Sequence, residues 1–449
     1  MGALERAVSP QVDTAIADTR AVPLPSPHYS REYEELTQRF AGESLNVSFR
    51  ELVGPLPANE YTHGVFPYPA RLLRHIPRFL LATDAVVDGI DLVFDPFVGS
   101  GTVLLEAQLR GFESLGVDQN PIASLTSRVK VGHADGTSVL HLLEGVLRNA
   151  KRTRRREPVS PLLSGWYAPA ALSALARLAT TAKEVAPAGS YMSDVAALCV
   201  ALTARRMANT DARIPVPVRS SRNATATADD VWTTWLGESR ALDAKLRSLP
   251  ADRPVARVLT GDARDAGTWP TAEQARSTLL LTSPPYGAAQ KYVRSTSLEA
   301  AWLGHAPRGK TVHLEHGSVG REHLSARDLL LKVENIESDN LRRELTAITT
   351  KDARRGAIYV AYFADMQRVF ANARKRAVKR IALISGTNSV AGGTLHTNEH
   401  LADIVQAAGY NRSMSMRDPI RGRTLLTSRR NGTPSPAEYI DVFERSTDD

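Results

Sequence analysis

Phe94-Asp95-Pro96-Phe97-Val98-Gly99-Ser100-Gly101-Thr102-Val103-Leu104-Leu105-Glu106-Ala107 is the stretch whose reading decides the fold of this 449-residue chain. The apolar run from Ile90 to Phe94 predicts a buried strand that stops at Asp95. Gly99 and Gly101 supply the backbone freedom of a sharp turn. From Thr102 to Leu109 the apolar residues return at helical period. Strand, glycine turn and helix together open a doubly wound α/β fold, in which ligands bind at the carboxyl ends of the strands. A G-x-G turn alone is common, so the assignment depends on the segments downstream of the turn.

Two more segments repeat the pattern of a strand tipped by an acid. Phe112 to Asp118 places a carboxylate about twenty residues after the glycine turn, the distance at which dinucleotide folds hold a ribose. Asn120-Pro121 then starts a helix. Ala256 to Asp262 is the second such strand. Thr278 to Thr282 is another apolar strand, and it runs into Ser283-Pro284-Pro285-Tyr286-Gly287, where two prolines force the chain out of the sheet. Asp95, Asp118 and Asp262 at three strand ends fit one ligand with a cationic end, a ribose and a base. S-adenosylmethionine has those parts.

The intervening residues read differently. From about 131 to 250 helical patterns dominate, with the basic run Lys151 to Arg156 and a second group, Arg205, Arg206, Arg213, Arg219 and Arg222. This predicts an inserted helical subdomain, a candidate for DNA or target recognition. The organisation expected is an N-terminal arm over 1–35, a first sheet segment over 36–130, the insert over 131–250 and a second sheet segment over 251–449. Later elements expected are helices over 362–377 and 399–408, strands over 380–386 and 438–443, and a basic loop over 417–430. A short charged helix is expected over 31–40.

Composition narrows the partners. Lys+Arg total 56 against 48 Asp+Glu, a net charge of +8, which favours a polyanion. Cys199, the only cysteine, lies in an apolar run, which disfavours a disulfide framework, a thiolate metal cluster and a cysteine nucleophile. No signal peptide or long apolar span is visible, so the expected compartment is the cytoplasm and no membrane partner is expected. His396 and His400 flank Glu399 in the wrong order for a zinc motif and read as a polar helix start.

The motifs resemble those of the amino-group DNA methyltransferases of the N4-cytosine/N6-adenine type. Asp95 to Thr102 resembles that family's cofactor motif, and Thr282-Ser283-Pro284-Pro285-Tyr286 its catalytic motif in the S-P-P-Y form. Asp118-Gln119-Asn120-Pro121 and Gly261-Asp262-Ala263 resemble the second and third motifs, and His63 to Ala70 the segment that closes over the methionine end of the cofactor. The resemblance implies a Rossmann-like class I methyltransferase sheet with helices on both faces. It implies S-adenosyl-L-methionine as cofactor, held by His63, Tyr68, Asp95, Phe97, Gly99, Gly101, Thr102, Asp118 and Asp262. Ser283, Pro284, Pro285 and Tyr286 would be catalytic, and no metal is implied. Double-stranded DNA would be the substrate, with a cognate restriction endonuclease as a possible partner. In that family Ser at the first motif position is commoner among cytosine-N4 enzymes, so Ser283 favours cytosine over adenine. The alternatives are an RNA-base or amide methyltransferase of the same fold, and a non-catalytic nucleic-acid-binding relative.

Overall fold

The computed structural model describes residues 26–57, 60–134, 136–287, 292–336, 338–420 and 435–446. Its strands are β1 (Leu45–Asn46), β2 (Leu92–Asp95), β3 (Glu113–Asp118), β4 (Ala256–Thr260), β5 (Thr278–Thr282), β6 (Arg380–Ser385), β7 (Asn388–Val390), β8 (Gly393–Leu395), β9 (Tyr410–Pro419) and β10 (Ala437–Arg445). Eight of them form one sheet in the order β1-β9-β10-β6-β5-β2-β3-β4, and β7 pairs with β8 apart from it. The run β4-β3-β2-β5-β6 is parallel throughout, and β10 is antiparallel to both its neighbours. This is a Rossmann-like, doubly wound sheet. The chain leaves β2 toward β3 and β4, then returns to β5 on the other side of β2. The crevice between the carboxyl ends of β2 and β5 is therefore the topological switch point, where such sheets bind ligands.

Residues of the central strands alternate between two cores. Phe94, Leu280, Ile381 and Leu383 face one core, which holds Phe363 and Phe370 of the helix Ala353–Arg376. Val93, Leu279, Leu281, Ala382 and Ile384 face the other, with Phe79 and Leu104. Burial on both faces explains why these strands are continuously apolar.

The insert is helical as expected, with Val139–Arg152, Pro169–Glu184, Tyr191–Met207 and Ala228–Arg247 as its main helices. Its core is not detachable. Leu175, Leu198 and Trp235 belong to one cluster with Ile122 and Leu125 of the helix after β3, and with Leu298 and Trp302 beyond β5. Cys199 is fully buried there, and burial pushes its thiol up to about 12.

Several boundaries differ from expectation. The N-terminal helix starts at Pro27 and docks through Tyr33 on Phe79, so residues 27–35 are helix rather than arm. The helix expected from Tyr362 begins at Ala353, because the Asp352 carboxylate caps the backbone N–H of Arg355. Arg417 lies on β9 and bonds Asn46 at 2.8 Å rather than opening a loop. The remainder of that basic segment from residue 421, like the Pro-rich arm before residue 26, lies outside the described residues. His396 and His400 both sit on Glu344, at 2.8 and 3.0 Å.

Candidate active site

A cleft of about 1230 Å³, open at its mouth, occupies the switch point. Its walls bring together eleven of the thirteen residues expected from sequence: Tyr68, Asp95, Phe97, Gly99, Thr102, Asp118, Asp262 and Ser283 to Tyr286. Only Gly101 and His63 do not line it.

Asp95 ends β2 at 3% exposure, accepting the Phe97 backbone N–H at 3.0 Å and the Thr282 hydroxyl at 2.6 Å. Burial pushes its carboxyl up to about 7, against those hydrogen bonds. Thr282 is the last residue of β5, so this single bond ties the acid of one strand to the start of the Ser-Pro-Pro-Tyr loop on the next. Asp118 ends β3 and accepts the backbone N–H groups of Gly99 (3.0 Å) and Asn120 (2.8 Å). Burial raises it to about 6.

The glycine turn is held from below. Gly101 begins the helix at φ 74°, and a Cβ there would fall 2.9 Å from Ser127 Oγ and 3.2 Å from the Ser127 Cα. Ser127 Oγ in turn donates to the Gly99 carbonyl at 2.9 Å. Gly101 thus shapes the turn without touching the cleft. Gly101→Ala is expected to cost about 1–3 kcal/mol of stability, read as a lowered urea midpoint with unchanged slope.

Asn120 knits the second strand end to its surroundings. Its side chain caps the helix Pro121–Val131 through Ile122 N, and its amide donates to Tyr68 Oη (3.2 Å) and Thr296 Oγ1 (3.3 Å). Tyr68 is thereby fixed beside Gly99.

His63 is separated from these groups. Its Nε2 lies 2.9 Å from Glu106 in a buried cluster with Arg78, which bonds Glu106 at 2.9 and 3.0 Å and Glu60 at 2.8 Å. Burial lowers the His63 pKa, so Arg78 is the lasting countercharge. Burial alone would raise Glu106, yet hydrogen bonds from His63 and Arg78 hold it down at about 2. The sequence marks His63 only by its place ahead of the glycine turn, whereas burial beside Glu106 gives it a structural partner. Glu106→Gln leaves Arg78 with Glu60 alone and is expected to cost about 3 kcal/mol, measured by chemical denaturation.

The Ser-Pro-Pro-Tyr loop is clamped on three sides. Tyr359 Oη donates to the Gly287 carbonyl at 2.9 Å. Gly320, at φ 75°, lets its loop approach so closely that a Cβ would stand 3.0 Å from the Tyr286 carbonyl oxygen. Gly386, just past β6, leaves room for the Tyr286 ring, since a Cβ there would lie 3.2 Å from Cε1. The Ser283 hydroxyl makes no hydrogen bond to the described residues and stays available in the cleft.

Asp262 lines the far end of the cleft, but its carboxylate is already paired. Arg264 bonds it at 2.7–3.1 Å, reaches Asp365 at 2.9 Å and donates to the Gly317 carbonyl at 2.6 Å. Arg321 joins Asp365 to Asp328 and donates to the Ser318 carbonyl at 3.1 Å. This ionic chain anchors the loop that contributes Ser318 and Val319 to the cleft and Gly320 to the Tyr286 clamp. Sequence reasoning missed Thr282, Asn120, Tyr292, Val319, Gly386 and Glu438 as site-forming residues. Thr282 and Asn120 sit inside quoted motifs, and Tyr292 lies in Lys291-Tyr292-Val293-Arg294, a segment that also resembles S-P-P-Y members; Val319, Gly386 and Glu438 carry no local signal.

No family model matches the chain. It is 28% identical over 101 residues to the type II methyltransferase M.MjaII of Methanocaldococcus jannaschii, a match covering 22% of this chain and 19% of that protein. It is 38% identical over 72 residues to the type II methyltransferase M.MvaI of Kocuria varians, covering 16% of each. The matched stretches thus span less than a fifth of either relative.

Proposed function

We propose that this protein is an S-adenosylmethionine-dependent DNA methyltransferase acting on the exocyclic amine of a base turned out of the duplex, with cytosine N4 favoured over adenine N6. The observation that carries the proposal is the 2.6 Å bond between Thr282 and Asp95, which sets a cation-binding acid and a free Ser283 hydroxyl side by side at the switch point. The two type II methyltransferase relatives support the reaction class. The net charge of +8 supports a polyanionic substrate. The choice of cytosine rests on Ser283 alone, and a partner endonuclease rests on the resemblance alone.

The cleft suits the cofactor chemically. A buried carboxylate at the end of β2 matches an ammonium group, the Gly99 turn permits close backbone approach, and the Asp118 carboxylate at the end of β3 has lone pairs for ribose hydroxyls. Asp262 serves the adenine end only if it shares its carboxylate with Arg264. The bound cofactor supplies an electrophilic methyl group on a sulfonium.

The protein's own residues then have to make a poor nucleophile competent. The lone pair of an exocyclic amine is delocalised into its ring. The Ser283 hydroxyl and the Pro284 carbonyl accept its N–H hydrogens, drawing the nitrogen toward tetrahedral geometry and aiming the lone pair along the line of attack. Pro285 stiffens the loop, and Tyr286 stacks on the base once it has left the helix. Asp95 fixes the donor end through a strand that shares a hydrogen bond with the acceptor loop, so the two reacting groups are placed by one rigid element. Incubation with labelled cofactor and genomic DNA is expected to label the DNA, and nucleoside mass spectrometry to show N4-methylcytosine. N6-methyladenine would overturn the base assignment, and label on RNA or protein with none on DNA would overturn the substrate.

A further inference from the structure

A second concavity, enclosing about 1460 Å³, runs along the seam between the insert and the sheet domain. Gly64 to Pro67 form one side, and the insert helix Tyr191–Met207 and the loop that follows it form the other. Arg71 lines both this groove and the cleft, so the two share a wall.

The charge of the groove is unbalanced. Its cations are Arg71, Arg205, Arg206, Arg222 and Lys245, and its acids are Asp211, Glu238 and Glu299. Every one of those acids has an arginine partner: Arg205 lies 2.7 Å from Glu299, Arg206 2.8 Å from Glu238, and Arg213, off the groove wall, 2.6 Å from Asp211. Arg71 and Arg222 are exposed and have no carboxylate partner among the described residues. Arg71 only donates to the His63 carbonyl, at 3.0 Å. Lys245 donates to the Gly64 carbonyl at 2.7 Å, holding the insert against the sheet domain so that the groove keeps its shape.

We propose that this groove carries the phosphate backbone of the DNA beside the base that enters the cleft, with Arg71 at the junction and Arg222 on the insert as phosphate contacts. The inference rests on the DNA reading above and gives the helical insert a role in holding substrate. Guanidinium groups without an acid partner match phosphate oxygens in geometry and charge. A base can be turned out into the cleft only if its flanking backbone is held close by, and Arg71 stands where the two cavities meet.

The test uses the full chain and a mixed-sequence DNA duplex, with binding measured over a range of salt concentrations and methylation of genomic DNA followed in parallel. Arg222→Gln is expected to lower the slope of log affinity against log salt by about 0.9, and Arg71→Gln/Arg222→Gln by about twice that. Arg222→Lys restores the slope, and Arg222→Gln leaves cofactor affinity unchanged by calorimetry. Arg39→Gln, which removes the same charge from the N-terminal helix and lines neither cavity, serves as the control and leaves the slope unchanged. Unaltered slopes in the Arg222 and Arg71 variants, with DNA still methylated by the wild type, would sink this inference and leave the proposed activity standing. Failure of the wild type to methylate DNA would instead sink the activity.

Discussion

Asp95→Asn is expected to weaken cofactor binding by about 10²- to 10³-fold, the range for removing one member of a buried, hydrogen-bonded charge pair. The Thr282 and Phe97 hydrogen bonds can still be accepted by the amide oxygen, so the fold should survive. The pH dependence separates lost charge from lost packing. Asp95 in the free protein titrates near 7, pushed up by burial. Only its ionised form attracts an ammonium, so affinity should fall up to about tenfold for each pH unit below that point. The α-amino group of the cofactor itself loses its proton near about 8, which sets the alkaline limb. Calorimetric titration with S-adenosylhomocysteine should therefore give a bell whose acid limb disappears in Asp95→Asn. An unchanged acid limb would show that another group meets the ammonium. Asp118, raised to about 6, is the nearest alternative.

The same shift has a consequence for stability, with a sign opposite to that of a salt-bridged carboxylate. The folded state holds a proton on Asp95 up to about 7, whereas the unfolded chain releases it near about 4. Between those values the native state binds more protons, so the stability of the ligand-free protein falls as pH rises. Asp95→Asn should flatten that fall.

Tyr286→Ala is expected to leave cofactor affinity near wild type and to lower kcat/KM for DNA by about 5- to 100-fold, the range for losing one base–aromatic stack. Tyr286→Phe should keep most of the activity, because stacking needs the ring and not the hydroxyl. Gly386→Ala should reproduce a smaller part of the loss. Its new methyl would stand 2.8 Å from Ser435 Oγ and 3.2 Å from the Tyr286 ring, so the Ser435 hydroxyl must move and the ring must give by a few tenths of an ångström. Equal losses in Tyr286→Ala and Tyr286→Phe would contradict the stacking role.

Much of the fold was written locally. Apolar runs of strand length ending in acids, a Gly-x-Gly turn and a resumed helical period are short-range patterns, and each corresponds to an element that the structure contains. β9 went unrecognised because its buried apolar residues are only Tyr410, Met414 and Met416, and it buries the polar Ser415 and Asp418 beside them in a segment otherwise rich in arginine and serine. The early start of the helix at Ala353 was hidden for a similar reason. The residues at its first turn, Arg354 and Arg355, are charged, and only the Asp352 cap marks the beginning.

The sequence by itself determined six strands of the sheet (β2 to β6 and β10), the helical nature of the insert and the residue types that end β2, β3 and the segment after β4, since each depends on neighbours along the chain. Only the tertiary structure decided which of those residues meet. Thr282 reaches Asp95 because β5 pairs beside β2 in parallel, a register that brings residues 187 positions apart to 2.6 Å. Gly386 and Gly320 shape the bed of Tyr286, and Arg264 occupies Asp262, through contacts between segments far apart in sequence. His63 lies off the cleft for the same reason: desolvation beside Glu106 and Arg78 is a property of the packed core and leaves no mark on the residues next to it in the chain.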